Sequence, residues 1–577
     1  MASRTPNLHG VRRPAALNRQ PLIVSPVPLA YPVRVALAPR PPIRIGFGAP
    51  RRRGVAIPVA SPSREAVKDR GECTEDGREG TFVWTRQWYP MAPLKLLEDA
   101  QGEGCESGLP EIQRMAILGR AIVVWKDVEG RWRAVEDRCA HRLAALSLGS
   151  VQEDGTLACR YHGWRFNGHG ECTHIPQATG TTSEAIACSS SRSKVTAFPT
   201  LEAHGLLWVW PDDAPTSWVD SVPTEPPVAQ VVGQDSDWSV VDFPVSYASW
   251  MENTLDPCHT DYIHHGQNSF GAAFGPSNAI TITNFEQAAA TKARAGFTLS
   301  HNPITSITQG RNVTLEFKPP TLVTATSVLK GVLTIHVAQY LVPMRPGYSR
   351  NVFATSVEMD KGDALQVLPV VFALGAPVFA ALLRKLPPKL FPGFLGTMVQ
   401  LLDGTHSVST TFASQDLVVL NSQDAEFTST GRDWRRRFYL PTRSDAGVVA
   451  FHRWMEEFAG GGPPWFGGVE ERKVLQRLRY HDLFDRWKLH SSWCPTCRKA
   501  LKYLGAIDTL LAGVAAGLLS AAVVLVARAT APQLATVAVV LSIAALLARF
   551  EVHKLRDRFL TELPPVGLPE FSLRWPS

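Results

Sequence analysis

Apolar positions fall into three regimes along the chain. From Phe82 to about Pro211, short apolar runs alternate with turn residues. Ala121–Trp125 and Gly205–Trp210 are rich in branched and aromatic residues, which pack well on a pleated surface and predict strands. A small all-β domain is expected over 82–215, ending in the loop at Asp212–Pro215. From Asp237 to His490 the pattern is mixed. Thr321–Thr326 and Leu333–Ala338 read as sheet, whereas Trp434–Phe458 and Glu470–Trp487 space charged and apolar residues as helices do. An α+β domain is expected over 235–490.

The third regime is almost purely apolar. Ala506–Ala527 carries one charge, Asp508, and Gln533–Ala548 carries none. At about 1.5 Å per residue each can cross or nearly cross a hydrocarbon core of about 30 Å. Only Arg528–Pro532 separates them, so they predict a two-helix transmembrane hairpin over 504–548; the competing reading is a buried helical hairpin. Arg498, Lys499 and Lys502 precede it, and Arg549, Lys554, Arg556 and Arg558 follow it in the basic tail 549–577. The positive-inside bias puts both ends on the side of the other domains. Leu365–Leu383 is also apolar but holds Pro369 and Pro377, which suits a broken core helix better than a span.

Composition changes the picture at the other end. The 577-residue chain has a formal net charge of +7. Residues 1–60 hold ten Arg and no Asp or Glu, so the remainder is nearly neutral and no nucleic-acid partner is inferred. The first segment lacks the compact apolar core of a secretory signal. It is expected to be an organelle transit peptide over 1–60, with a linker over 61–81; a disordered basic tail is the alternative. Nine Cys is an odd number, and Cys73, Cys105, Cys172, Cys188 and Cys258 are scattered. This is unlike a disulfide framework and points to a reducing compartment.

Four of the remaining candidates form one motif. Cys139-x-His141 is followed, after seventeen residues, by Cys159-x-x-His162. Two thiolates and two imidazoles suit a [2Fe–2S] centre with both His on one iron, which raises its potential over an all-thiolate cluster. A structural zinc ion takes the same ligand set. Gly163-Trp164-Arg165-Phe166-Asn167 behind the second pair and the strand-rich surroundings favour the cluster.

Downstream, the stretch from Glu252 to His265 holds Asp256-x-x-His259-x4-His264. Two His and a carboxylate that leave open positions are the ligand set of non-haem oxygenase iron. Positions five apart in a helix lie about 140° apart, so His259 and His264 can share a metal only if the helix ends or bends there. Pro257 and Gly266 fit that. His265 rivals His264. Asn253 is either a support for the site or a helix-packing residue.

Asp137–Ser147, Cys159–Gly168 and His174–Gln177 resemble the plant and algal Rieske monooxygenases, the group of the pheophorbide a, inner-envelope translocon and protochlorophyllide-linked Rieske proteins. The resemblance runs from about Trp84 to the C-terminus. It implies an N-terminal all-β Rieske domain, an α+β catalytic domain of helix-grip type, a [2Fe–2S] cluster and a mononuclear non-haem Fe(II). It makes Asp256 the bridging carboxylate that carries electrons between subunits of a homotrimer. It makes Asp416, in Thr410–Leu417, the third iron ligand, with Asp424, Glu426 and Asp403 as rivals. It implies ferredoxin as donor, O2 as co-substrate and a chloroplast membrane, inner envelope or thylakoid, with catalytic domains facing the stroma. Cys258 and Asp261 depart from the small or apolar residues expected there and leave the substrate in doubt.

Cys494-Pro-Thr-Cys497 precedes the hairpin, and similar pairs occur at that place in the group named. Neighbouring Arg498 and Lys499 favour thiolate. The pair reads as a thioredoxin-responsive switch, with a zinc half-site or inert thiols as alternatives. The resulting expectation is a membrane-bound monooxygenase of a chlorophyll-derived tetrapyrrole, closest to pheophorbide a oxygenation. The alternatives are a hydroxylase of a related phyllobilin or protochlorophyllide, a redox-sensing component of the import machinery, and a pure electron carrier.

Overall fold

The computed structural model describes residues 82–98, 112–233, 236, 238–259, 263, 281–287, 296–302, 311–329, 333–359, 408–469, 478–529 and 531–561. The segments expected as transit peptide (1–60) and linker (61–81), the Leu365–Leu383 run, Cys73, Cys105, Asp261, His264, His265, Asp403 and the tail beyond Thr561 lie outside the described residues.

Three antiparallel sheets form from the first regime. One has the order β2 (Gln113–Ile117), β3 (Arg120–Lys126), β4 (Trp132–Glu136), β9 (Ala197–Phe198). A second runs β5 (Ser150–Val151), β6 (Leu157–Ala158), β7 (Arg165–Phe166), β8 (Cys172–His174). The third pairs β1 (Tyr89–Pro93) and β10 (Thr200–Ala203) with β11 (Leu206–Val209) between them. Leu118 and Gly119 between β2 and β3, and His204 and Gly205 between β10 and β11, have positive φ, as two-residue hairpin turns require.

The unbroken apolar runs now have a cause. Successive strand residues face opposite sides. On β3, Ile122 and Val124 enter the large central core while Val123 and Trp125 enter a second core around the Cys loops. On β11, Leu207 and Val209 join the central core while Leu206 and Trp208 join a third. Strands buried on both faces need no polar alternation.

That sharing also blurs the boundary expected near residue 215. Phe82, Trp84, Tyr89 and Met91 pack in one core with Tyr247, Trp250, Phe451 and Trp454. The Phe82 amide and the Trp84 indole donate to the carbonyls of Phe458 and Ala459, both at 2.9 Å.

The second region is a seven-stranded antiparallel sheet. Its order is β12 (Ser239–Phe243), β18 (Tyr348–Met359), β17 (Leu333–Arg345), β16 (Leu322–Leu329), β15 (Arg311–Lys318), β14 (Phe297–Asn302), β13 (Thr281–Gln287). Four short or medium helices precede its main covering: α1 (Leu94–Glu98), α2 (Thr181–Ser189), α3 (Ser217–Asp220) and α4 (Tyr247–Leu255). The helices α5 (Val408–Ser429), α6 (Trp434–Arg437) and α7 (Ala446–Glu457) follow. Leu417, Leu420, Phe451 and Trp454 of α5 and α7 pack with Trp250 of α4 on Phe297, Phe317 and Leu341.

Two sequence expectations change here. Trp434–Phe458 is not one helix: it breaks after Arg437 and restarts at Ala446, with Pro441, which cannot donate to a helix ladder, inside the break. Within Glu470–Trp487, the described helix is α8 (Tyr480–Leu483), followed by a π-helical turn at Trp487–Ser491.

The chain ends in a helical hairpin, α9 (Pro495–Ala527) and α10 (Pro532–Leu560), each long and apolar enough to cross a membrane. Small residues make the seam: Ala515, Ala522, Ala535, Ala538 and Ala545 are buried, and Ser542 Oγ donates to the Ala515 carbonyl at 2.9 Å. Leu519, Val523, Val540 and Leu547 face outward, the arrangement of helices that meet lipid rather than a core. Asp508, the one charge within Ala506–Ala527, meets Arg549 at 2.7 Å and His553 at 2.9 Å, so the hairpin answers its own partly buried acid.

Candidate metal centres

The Cys139 and Cys159 loops repeat one backbone design. The Cys139 amide donates to the Ala144 carbonyl at 2.8 Å and the Leu143 amide returns to the Cys139 carbonyl at 3.0 Å. The Cys159 amide donates to Trp164 at 2.8 Å and Gly163 returns to Cys159 at 2.9 Å. Leu143 and Gly163 both sit at positive φ, 62° and 75°. At Gly163 a Cβ would lie 2.9 Å from the Pro176 ring, so that position is closed to larger residues, while Leu143 carries the strain in an exposed loop.

These loops sort the four side chains by depth. Cys139 and Cys159 are both buried, and both thiols are free. Burial, with Cys159 alongside, pushes the Cys139 thiol up to about 11. His141 and His162 lie at the rim, ring centroids 4.6 Å apart. Trp164 stacks flat on His141 at 4.7 Å, and Tyr161 packs on His162 at 3.8 Å. Partial desolvation, then the charges of His141 and Arg142, hold His162 below the usual histidine value, which favours the neutral, ligating form. Paired thiols inside and paired imidazoles outside fit a two-thiolate, two-imidazole cluster with its imidazole edge towards the surface.

Supports that sequence reasoning missed surround this site. The buried Asp137 carboxylate accepts from the Ser147 amide at 2.7 Å, Ser147 Oγ at 2.9 Å and Arg114 Nε at 2.8 Å, closing the first loop. Glu184 of α2 takes the Ile175 amide at 2.8 Å and His174 Nδ1 at 2.6 Å. Cys172 and Cys188, read as scattered, stand with sulfurs 3.4 Å apart. Only an acid two residues ahead of a loop cysteine hinted at the first of these.

At the second centre, Ser246 caps α4 and the helix stops at Leu255, one residue before Asp256 and two before Pro257. Asp256 Oδ1 accepts the Cys258 amide at 2.8 Å, which turns the chain. His259 therefore stands beyond the helix. Its Nδ1 donates to the Asp256 carbonyl at 2.7 Å. That bond leaves the Nε2 lone pair available, and Nε2 lies 3.9 Å from Asp416 Oδ1 on α5. Holding the outer nitrogen in a carbonyl bond is how ligating histidines are oriented. Asn253 hydrogen-bonds Asp416 and draws its carboxyl down, but burial dominates and keeps it well above the usual carboxylate range. Burial does the same, more mildly, to Asp256. His259 is depressed to about 4 by burial and so is neutral at physiological pH.

Two rivals for the oxygen ligand are removed. Asp424 is buried, but it is committed to the Ser246 amide, Ser246 Oγ, Ser249 Oγ and Arg432 at 2.6–3.0 Å. Glu426, also on α5, is exposed. Glu252 is held by Gln423 and His452, both at 3.0 Å.

Cys494 and Cys497 form no disulfide and are 1% and 0% exposed. The thiolate expected from Arg498 and Lys499 is not what this site favours: burial pushes the Cys494 thiol far up, and Cys497 adds to it. Arg498 instead donates to the Ser492 carbonyl at 3.1 Å.

A Rieske [2Fe–2S] domain matches residues 88–193, which contain both Cys loops. Over 519 residues the chain is 28% identical to chloroplastic pheophorbide a oxygenase of Oryza sativa subsp. japonica, covering 85% of this chain and 88% of that protein. It is 27% identical to chloroplastic flavonoid 8-hydroxylase 2 of Ocimum basilicum, covering 86% and 88%. It is 27% identical to protochlorophyllide-dependent translocon component 52 of Arabidopsis thaliana, covering 74% and 76%. These matches extend past the Rieske domain through the region of His259 and Asp416 and on towards the hairpin. The chain thus carries a Rieske [2Fe–2S] domain inside a longer sequence that is similar, over most of its length, to chloroplast oxygenases, which supports a Rieske-type oxygenase.

Proposed function

We propose that this protein is a membrane-bound Rieske monooxygenase that adds one oxygen atom to a chlorophyll-derived tetrapyrrole of the pheophorbide a type, with ferredoxin as donor. The observation that carries the reading is His259, locked through Nδ1 so that Nε2 faces Asp416, in a chain that also builds the two-Cys, two-His rim. Cys139, Cys159, His141 and His162 would hold the cluster; His259, Asp416 and His264 would hold the iron. When bound, the two groups supply one-electron delivery and O2 activation.

The protein's own groups do the rest. Asn253 and the Asp256 carbonyl orient Asp416 and His259 before any substrate arrives. The Asp256 carboxyl, about a third exposed with its proton affinity raised by burial, stands ready to take a hydrogen bond from a rim histidine of a neighbouring subunit. A homotrimer would supply that neighbour. The hairpin would hold the catalytic domains on the stromal side of a chloroplast membrane, inner envelope or thylakoid, where an apolar pigment partitions. Residues 1–60 are assigned as the transit peptide, 82–215 as the Rieske region and 235–490 as the catalytic region. Cys494 and Cys497 would serve redox regulation only after local opening exposes them.

The test uses full-length protein in detergent with reduced ferredoxin and labelled O2. Pheophorbide a, protochlorophyllide and a flavone are supplied in parallel. Label in a pheophorbide product, lost in Asp416→Ala, supports the reading. Label only in the flavone would move the substrate class. Turnover unchanged in Asp416→Ala would overturn the iron assignment.

A further inference from the structure

Among the described residues, one group of three metal-ligating side chains gathers outside the two oxygenase centres. His490 lies in the π-helical turn before the hairpin, Cys494 caps α9, and Cys497 is in its first turn. Their ligand atoms all lie within 4.8 Å of one another, and all three residues are buried. His490 Nδ1 is 2.9 Å from the Val240 carbonyl of β12. A carbonyl only accepts, so Nδ1 carries the proton and Nε2 keeps its lone pair. That is the second bond expected of a ligating imidazole.

We infer that His490, Cys494 and Cys497 form a third metal site, for zinc or a similarly thiophilic divalent ion, that clamps α9 to β12. Two thiolates and an imidazole are the donor set zinc prefers, and water or a small anion completes the tetrahedron. Binding forms two metal–sulfur bonds and one metal–nitrogen bond and releases the two thiol protons to solvent. The ion's two positive charges are cancelled by the two thiolates. A neutral unit of this kind suits a buried position beside a membrane helix, where an unbalanced charge is costly. The clamp spans the catalytic sheet and the anchor: the Val240 carbonyl belongs to the sheet, and the two cysteines belong to the start of the hairpin. The same ion keeps both sulfurs reduced, because a coordinated thiolate pair is not a disulfide.

Full-length protein is purified in detergent without added thiols, and its zinc and iron are counted. The parent is expected to carry one zinc per chain more than Cys494→Ser/Cys497→Ser or His490→Gln, with the Rieske visible spectrum the same in all three. Cobalt(II) exchanged into the parent should give a thiolate-to-cobalt charge-transfer band that both variants lack. Equal zinc in parent and variants, with no such band, overturns the site. So does a Cys494–Cys497 disulfide as the main form in the purified parent, read by alkylation and mass spectrometry. Should the variants lose the Rieske spectrum and so be misfolded, the parent decides: chelation must expose both thiols to alkylation, and zinc must protect them again. None of these readings depends on turnover.

Discussion

Asp424→Asn separates a structural anchor from an iron ligand. The Asp424 carboxylate is 1% exposed and takes the Ser246 amide at 2.9 Å, Ser246 Oγ at 2.6 Å, Ser249 Oγ at 3.0 Å and Arg432 at 3.0 Å. It thus ties the N-terminus of α4, whose far end carries Asp256 and His259, to α5, which carries Asp416. Hydrogen bonds to a charged group contribute about 1.5–3 kcal/mol each, but four that share one carboxylate do not add. Removing one partner of a buried pair costs about 3–5 kcal/mol. The Arg432 side chain is 22% exposed, so water relieves part of its loss, and asparagine keeps one acceptor. We expect a destabilisation of about 2–4 kcal/mol, a fall in Tm of about 5–15 °C for a domain of this size. Thermal unfolding followed by tryptophan fluorescence reads the stability, and iron analysis at low temperature reads the ligand set. Arg432→Gln should cost less than Asp424→Asn. A Tm change below about 2 °C, or loss of iron at unchanged Tm, would refute the anchor and return Asp424 to the ligand list.

Asp416→Asn should show the opposite pattern: the iron in excess of the cluster is lost, while the Tm of the iron-free protein holds or rises, because burial already disfavours that carboxylate; metal analysis and a melt on one preparation check both. Gly447→Ala places a Cβ 2.6 Å from the Leu255 carbonyl, which pushes on the residue before Asp256; we expect a cost of about 1–3 kcal/mol and a drop in product formed per electron supplied. Asp127 sits in the β3–β4 turn. Burial raises its carboxyl, but the Arg131 and Glu129 amides and the Arg133 guanidinium outweigh it, so the net shift is downward. A carboxyl lowered on folding adds stability above its unfolded value of about 3.9 and loses it as pH falls through the folded value. Asp127→Asn should therefore melt below the parent at pH 7, and the two curves should converge in acid.

The chemistry of this protein was legible in one dimension because metal ligands are sparse and come with spacing. Cys139-x-His141 and Cys159-x-x-His162 lie in short loops between strands, whose turns are closed by backbone hydrogen bonds between near neighbours. The hairpin was legible for a similar reason: a continuous apolar stretch is a property of composition, and no partner is needed to recognise it. Even there, only the packed pair shows that Asp508 is answered by Arg549 and His553 from the other helix.

What the sequence left open are choices among chemically equal residues far apart in the chain. Asp416, Asp424 and Glu426 are all acids on one helix. Which faces His259, which anchors α4 and which meets water is decided by how α5 lies on α4, a long-range packing fact without a local signal. That the two regions share one core was hidden for the same reason. The runs at Ala121–Trp125 and Gly205–Trp210 announce strands, but not that their two faces feed different cores. His490 could not be linked to Cys494 and Cys497 either, until a π-helical turn brought an imidazole on the sheet side to the thiols at the start of the hairpin. Residue type and spacing determined which groups are available for chemistry. Tertiary packing decided which of them meet, because burial and facing are set by segments that the local chain does not contain.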